Sequence, residues 1–360
     1  MRWVVVGAGT AGCVVAGRLA AAGHDVTIVE AGWAVPPVVS LFDALAFPGA
    51  VFKGPNVRGR GLGGSGAVNG MLMAMGDLAW YRACGWDDVD AALARVRVPM
   101  QPAADLGAVD RALLAAAPDA APAVLAMRDG RRVTAADAYL RDAAVTLLSG
   151  VEARRIVLDG DRAVAVRRTD GRVVEADAVV VAAGAVGSPA LLRSSGLDVG
   201  VDPRNHAGLA VTLRLRPDVD VDVHALVTGA VLQRDGVEVT ALNHLGPDVP
   251  GHAMLLAVEL VAGALARGRR IVDELLAAPP FAAIVETATT DEAPTGVHHL
   301  TSTLPMGSAV DDDGLVCGLA NVHVVDASVF PDLPPSGTYL PTLVLAERLA
   351  ARLVALHRTP

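Results

Sequence analysis

The chain opens on an apolar run from Trp3 to Val6, breaks at a glycine turn, and continues with small residues at helical spacing. A second apolar run then ends at Glu30. This order predicts strand, turn, helix and strand. Further on, residues 151 to 196 alternate in short segments separated by Asp159-Gly160 and Asp170-Gly171, which predicts three strands with a small antiparallel meander. Ala178 to Ala183 is unbroken apolar, as a parallel strand covered on both faces requires. After the turn at Gly184, Ser188-Pro189 predicts a helix start, the serine capping it and the proline in its first turn. The longest apolar stretch, around Ala253 to Ala266, contains Glu259 and falls short of the ~20 residues of a bilayer span. It reads as a buried element of a soluble domain.

The first turn carries chemistry. Gly7 permits a tight bend, Gly9 lets backbone approach a pyrophosphate, and Gly12 lets the helix pack against the sheet. The phosphates would sit at the positive end of that helix. Glu30, 23 residues after Gly7, stands at the carboxyl end of the second strand, where an acid can accept hydrogen bonds from the adenosine ribose. This fingerprint serves NAD and FAD alike. A second cluster, Val57 to Met71, holds six glycines in fifteen residues, too many for a regular helix or strand. With Ser65 and Asn69 it suits a loop whose N–H groups face a large flat cofactor, anchored by Leu62, Val68, Met71, Leu72 and Met73.

Composition narrows the class. With 360 residues, 52% of them hydrophobic, the chain can fill two domains of ordinary size. A formal charge of -9 argues against nucleic acid or an anionic membrane as partner. Cys13, Cys84 and Cys317 match neither zinc nor disulfide spacing, so no metal is expected. The first strand starts almost at Met1 and leaves no room for a signal peptide, which points to the cytoplasm. Near the carboxyl end, "GVHHLTSTLPMG" sets His298 beside His299; on a strand the two would point to opposite faces, one packed and one solvated.

These residues together resemble the glucose-methanol-choline (GMC) oxidoreductases, FAD-dependent enzymes that oxidise alcohols. The family's Gly-Gly-Ser-Ser and Asn-Gly-Met loop is matched by Gly63, Gly64, Ser65, Asn69, Gly70 and Met71, with Gly66 in place of the second serine. Its Gly-Ala and Ser-Pro-x-Leu-Leu segment is matched by Gly184, Ala185, Ser188, Pro189, Leu191 and Leu192. "NVHVVDASVFP" is similar to the strand that brings backbone to the flavin diphosphate, with Asp326 and Ala327 at its turn. In that register His299 takes the catalytic position and His298 an aromatic slot.

The resemblance implies an α/β fold in two discontinuous parts. One is a Rossmann-like FAD-binding domain with a parallel sheet and an antiparallel meander, over 1–86, 131–206 and 298–360. The other is a shortened antiparallel-sheet substrate domain, over 207–297 with 87–130. It implies further cofactor contacts at Thr10, Ala11, Ala31, Ala153 and Ala183. FAD would be held without a covalent bond, because Val68 stands where some members carry a linking histidine. A small alcohol would be the substrate. The compactness is most similar to a short subgroup associated with mycofactocin, a peptide-derived redox cofactor, which becomes a candidate electron acceptor.

His299 would take the hydroxyl proton. The family's second histidine or asparagine is replaced by Tyr339, in the loop before the last helix, whose phenol can orient an alkoxide but is a poor base. Tyr339 as a gap-filling core residue stays open at this point. His206 reads as structural, packed under the flavin loop, and His224, His244 and His252 as surface or packed residues. Two other functions remain open: a redox-neutral lyase on the same scaffold, and an FAD-containing binding or maturation protein.

Overall fold

The computed structural model describes residues 1–357. Strand β1 (Arg2–Val6) is buried from Trp3 onward and leads through Gly7 into helix α1 (Thr10–Ala21) and strand β2 (Asp25–Val29). The helix lies close because glycine lets it: a Cβ on Gly12 would sit 2.0 Å from the Gly7 carbonyl oxygen. Strand β3 (Val145–Leu148) extends the sheet beyond β2. Strands β4 (Ala153–Asp159), β5 (Arg162–Arg168) and β6 (Val173–Glu175) form the expected antiparallel meander. Its turns use Gly160 and Gly171 at positive φ, +60° and +86°, where a side chain would be strained.

Strand β7 (Ala178–Val181) is fully buried and pairs parallel to β1, as its unbroken apolar run requires. Helix α2 (Gly184–Ser194) then starts four residues earlier than Ser188-Pro189 predicts, with Pro189 inside it. Proline has no N–H to give the carbonyl of Ala185 four residues back. Thr303 Oγ1 donates to that carbonyl instead, at 2.7 Å. Ser188 caps nothing at the predicted place: its Oγ accepts from the Ala183 N–H at 3.0 Å and donates to Asp326.

The second half is an antiparallel sheet. Strands β8 (Ala207–Leu215), β9 (Ala230–Arg234), β10 (Val237–Leu242), β11 (His252–Glu259) and β12 (Val285–Thr290) run in the order β12, β8, β11, β10, β9, and Ala120–Pro122 pairs outside β9. Alternate residues serve two masters. Leu209, Val211, Val237, Val239, Leu255 and Ala257 pack with helices Ala108–Ala116 and Leu265–Ala277 into a core of their own. On β10 and β11 the intervening positions, Glu238, Thr240, Leu242, Leu256 and Val258, face the parallel-sheet half. The apolar stretch Ala253 to Ala266 thus resolves into most of β11, a turn and the start of a helix. Val89, Ala92 and Val98 belong to the larger core with the parallel sheet, although helix Ala108–Ala116 follows closely in sequence.

Strand β13 (Val322–Val324) returns to β7, giving the parallel order β13, β7, β1, β2, β3. The chain leaves β1 toward β2 on one side, while β7 lies on the other, so a crevice opens at the carboxyl ends of these strands. Helix α3 (Tyr339–Leu356) closes the chain against α1, with Arg18 paired to the buried Glu347 at 2.7 Å. Among the described residues no helix is long and apolar enough to cross a membrane.

Candidate functional site

A cavity of about 980 Å³ fills the crevice between the carboxyl ends of the parallel strands and the inner face of the antiparallel sheet. Of the residues expected at the site, Gly7, Gly9, Thr10, Ala11, Glu30 and Ala31 line it from the first turn and second strand. Gly64, Ser65, Asn69 and Gly70 line it from the glycine loop, Ala153 from the meander, Ala183 and Gly184 from the turn between β7 and α2, and Asp326 and Ala327 from just past the last strand. His299 and Tyr339 complete the set. Three expected residues lie behind the wall. Gly12 holds α1 to the turn, Gly63 donates its N–H to Ala8 at 2.8 Å, and Met71, at a positive φ of 62°, is buried with its N–H on Asn69 Oδ1.

The cradle has the shape and chemistry a dinucleotide needs. Helix α1 has no side-chain cap and no acidic residue in its first turn, so its free N–H groups leave the positive helix end available to an anion. A Cβ on Gly9 would meet nothing closer than the Gly64 Cα at 3.9 Å, and one on Gly70 or Gly184 nothing within 4 Å. Those positions face open space. Glu30 is buried, its Oε2 accepting from Ala8 N–H at 2.7 Å and its Oε1 from Gly32 N–H at 2.8 Å. Each carboxylate oxygen keeps lone-pair capacity for a ribose hydroxyl. Arg132, which the sequence reading missed, holds the glycine loop. It is buried and donates to Asn69 Oδ1, to the Asn69 and Gly66 carbonyls and to that of Val38, and burial lowers its pKa to about 10. Asp326 ties two motifs together: it accepts from Gly184 N–H, Ser188 Oγ and Ser328 N–H, while burial raises its pKa against those bonds.

The two histidines do not sit on a strand. His298 adopts a positive φ of 65°, which breaks the alternation expected of neighbours, and both rings reach the cavity. His298 is exposed and His299 half-buried. Asn205 Oδ1 accepts from the His299 backbone N–H at 2.8 Å, fixing that segment against the chain before β8. The ring partner of His299 is His206: the two Nδ1 atoms lie 3.1 Å apart, the planes perpendicular. His206 Nε2 is 3.0 Å from the carbonyl oxygen of Pro334. A carbonyl only accepts, so His206 carries its proton on Nε2 and presents a lone pair at Nδ1. His299 must then donate from Nδ1, leaving its Nε2 bare. That edge of the ring faces Gly337, where a Cβ would sit 3.9 Å from Nε2. Burial, then His206 and His298, hold His299 well below the ordinary imidazole value, at about 3, and burial lowers His206 as well.

Tyr339 is placed otherwise than expected. It is the first residue of α3, not a loop residue, and its hydroxyl is buried without a hydrogen-bond partner among the described residues. The ring occupies the space over Gly66: a Cβ there would lie 2.8 Å from Tyr339 Cε2 and 3.0 Å from Thr10 Oγ1. The missing serine at 66 and the tyrosine at 339 are therefore one change. Burial also pushes the phenol pKa upward. His224 pairs with Asp43 at the surface and His244 packs against Phe42; neither these nor His252 borders the cavity.

A glycine-turn nucleotide cradle facing a walled chamber with a deprotonated imidazole nitrogen defines a flavin-type oxidoreductase. Two family profiles described as GMC oxidoreductase match residues 118–215 and 232–346, together more than half of the chain, and a third, pyridine nucleotide-disulphide oxidoreductase, matches residues 2–36. An uncharacterised GMC-type oxidoreductase of Rhodococcus erythropolis is 26% identical over 487 aligned positions, covering 98% of each chain. With 360 residues here, more than a hundred of those positions fall in internal gaps. An oxygen-dependent choline dehydrogenase of Vibrio vulnificus is 24% identical, covering 99% of this chain and 94% of that one. The pyridoxine 4-oxidase structure from Mesorbium loti superposes with a TM-score of 0.82 at 21% identity, over 98% of both chains. The chain belongs to the GMC oxidoreductase family, and its cofactor is FAD.

Proposed function

We propose that the protein oxidises the CH–OH group of an alcohol, with His299 Nε2 as the proton acceptor. The observation that carries this reading is the chain of ring nitrogens, His299 Nδ1 to His206 Nδ1 at 3.1 Å and His206 Nε2 to the Pro334 carbonyl at 3.0 Å. A neutral imidazole with its lone pair turned to the cavity is the form a base must have; the lowered pKa keeps it neutral but weakens it as an acceptor, so the proton transfer relies on stabilising the imidazolium as it forms. As His299 takes the hydroxyl proton, its Nδ1–H on His206 steadies the imidazolium and holds the ring in one orientation.

FAD, when bound, supplies the two-electron oxidation. The residues suited to hold it are Gly7, Gly9, Thr10 and Ala11 for the phosphates and Glu30 with Ala31 for the ribose. The glycine loop, Ala153, Ala183, Gly184, Asp326 and Ala327 would hold the rest. Val68, buried on the cavity wall, offers no atom for a covalent link. In this reading His206 is the positioning residue that replaces the family's usual partner, and Tyr339 packs the loop. The FAD-binding part is 1–86, 131–206 and 298–360, the substrate part 207–297 with 87–130. The test is anaerobic mixing of the holoprotein with a panel of alcohols. Bleaching of the flavin with release of the matching carbonyl compound is expected; a flavin that no alcohol reduces, while dithionite does, overturns the reading.

A further inference from the structure

The chamber wall opposite the cradle carries a carboxyl group that the proposed chemistry does not use. Glu238 lies on β10 with Thr240 and Leu242, all on the cavity face because strand residues two apart share a face. Leu256 and Val258, opposite them on β11, make that face apolar. Glu238 is only 3% exposed, yet it borders the cavity. Gln233, its cross-strand neighbour on β9, donates to Oε2 at 2.8 Å, and Oε1 has no hydrogen bond among the described residues. The hydroxyl of Thr240, two places along on the same face, likewise makes none among the described residues. No lysine or arginine pairs with Glu238 among the described residues. The arginines on the cavity are Arg58 and Arg154, which border it beside Gly59 and Ala153 on the cradle side.

A carboxyl group kept out of water with one neutral partner is costly, and burial accordingly raises its pKa. Glutamine in its place would serve a neutral hydroxyl as well without that cost; only a cation makes the carboxylate the better choice. Aromatic side chains on the cavity are Phe52 and Tyr339, apart from the two histidines, and both belong to the cradle side. A quaternary ammonium, which has no N–H and relies on aromatic faces, is poorly matched to this wall. An ammonium with N–H groups finds two acceptors there, Glu238 Oε1 and the Thr240 hydroxyl.

We propose that Glu238, with Thr240 two places along the same strand face, is a subsite for a protonated primary or secondary amine, so that the substrate is an amino alcohol whose apolar chain runs over Leu242, Leu256 and Val258. This rests on the alcohol-oxidising reading above. Two measurements test it separately. In the first, kcat/KM for flavin reduction is compared between aminopentanol and the isosteric hexanol and pentanediol. In the second, binding of pentylamine, which has no hydroxyl to oxidise, is titrated by calorimetry on the holoprotein. The wild type should favour aminopentanol over both neutral alcohols by about tenfold or more, the worth of one charge-assisted hydrogen bond. Glu238→Gln and Glu238→Leu, each checked for FAD content, should lose that ratio and weaken pentylamine by a similar factor. A ratio near one in the wild type, or pentylamine affinity equal in wild type and both variants, overturns the subsite. Pentylamine binding that depends on Glu238, together with a flavin that no alcohol reduces, leaves the subsite standing and overturns the alcohol reading instead.

Discussion

The two walls of the cavity are built from different materials. The cradle wall is mostly backbone: Gly9, Gly64, Gly70 and Gly184 present bare Cα atoms, and side chains such as Arg132 and Asp326 work from behind it. The chamber wall is mostly side chain: an imidazole held by a second imidazole, and one carboxyl on an apolar sheet face. Backbone recognition ties a wall to one ligand, because changing it means changing the turn. Side-chain recognition can be rewritten one residue at a time, which suits a scaffold that keeps its cofactor and varies its substrate.

That contrast breaks or sharpens in four measurements, taken from the largest effect down. His299→Ala should retain FAD and slow flavin reduction by roughly 10² to 10⁴, the worth of a positioned base; loss of FAD in this variant would show that the chamber wall also holds the cofactor. His206→Ala should slow the same step by about 10 to 100, one hydrogen bond to a group that becomes charged, with KM nearly unchanged. If only KM rises, the histidine pair binds substrate and does not set a tautomer. On the cradle side, Gly66→Ser restores the family's residue yet collides with the Tyr339 ring, and overpacking of this kind costs about 1 to 3 kcal/mol. It should lower thermal stability and FAD occupancy, and Tyr339→Asn should recover both. Tyr339→Phe alone, removing a hydroxyl that has no partner, should change the reduction rate less than threefold.

A pH series separates chemistry from stability. His206 and His299 are both held below the ordinary imidazole value of ~6.5, so the fold keeps them neutral where the unfolded chain takes up protons. Their contribution to stability is present above ~6.5 and is lost as pH falls toward the folded values. Between pH 7 and 5 the unfolding free energy should drop by up to about 1.4 kcal/mol per pH unit for each imidazole. Flavin reduction should stay flat over the same range. Urea melts at the two pH values, on wild type and on the His206→Ala, His299→Ala double variant, check the slope, which the double variant should lose in part. A rate that falls with a midpoint near 6.5 would place an ordinary, unperturbed imidazole at the site.

What the sequence disclosed follows the same division. Gly7, Gly9, Gly12 and the loop from Gly63 to Met71 are legible because a backbone that bends or approaches so closely admits only glycine. The meander and β7 are legible because turns and alternation are local. The start of α2 was misplaced because a proline after a serine fits a first turn as well as a helix interior whose freed carbonyl finds Thr303; only the fold tells the two apart. His206, Arg132 and Glu238 carried no local signal. His206 acts through a contact 93 residues away in the chain, and Glu238 sits in a strand whose pattern reads as core. Tyr339 stands out in the sequence as a departure from the family's residue, but the space it fills, over the bare Gly66, lies far off in sequence and close by in space.

The antiparallel sheet leaves the chain at Ala207 and returns at Val297, whose N–H meets the His206 carbonyl at 3.1 Å. The residues flanking that excursion are His206 and, two places past its end, His299, themselves within hydrogen-bonding distance. All of the substrate sheet except the edge strand Ala120–Pro122 is thus strung as one cassette between two points that already touch. Closing so short a gap depends only weakly on how much chain hangs from it, the excess growing as the logarithm of its length. Chain can be trimmed from or exchanged within such a cassette while the proton-handling pair at its neck stays wired. A grafting experiment has its cut sites marked in advance: immediately after His206 and immediately before His298.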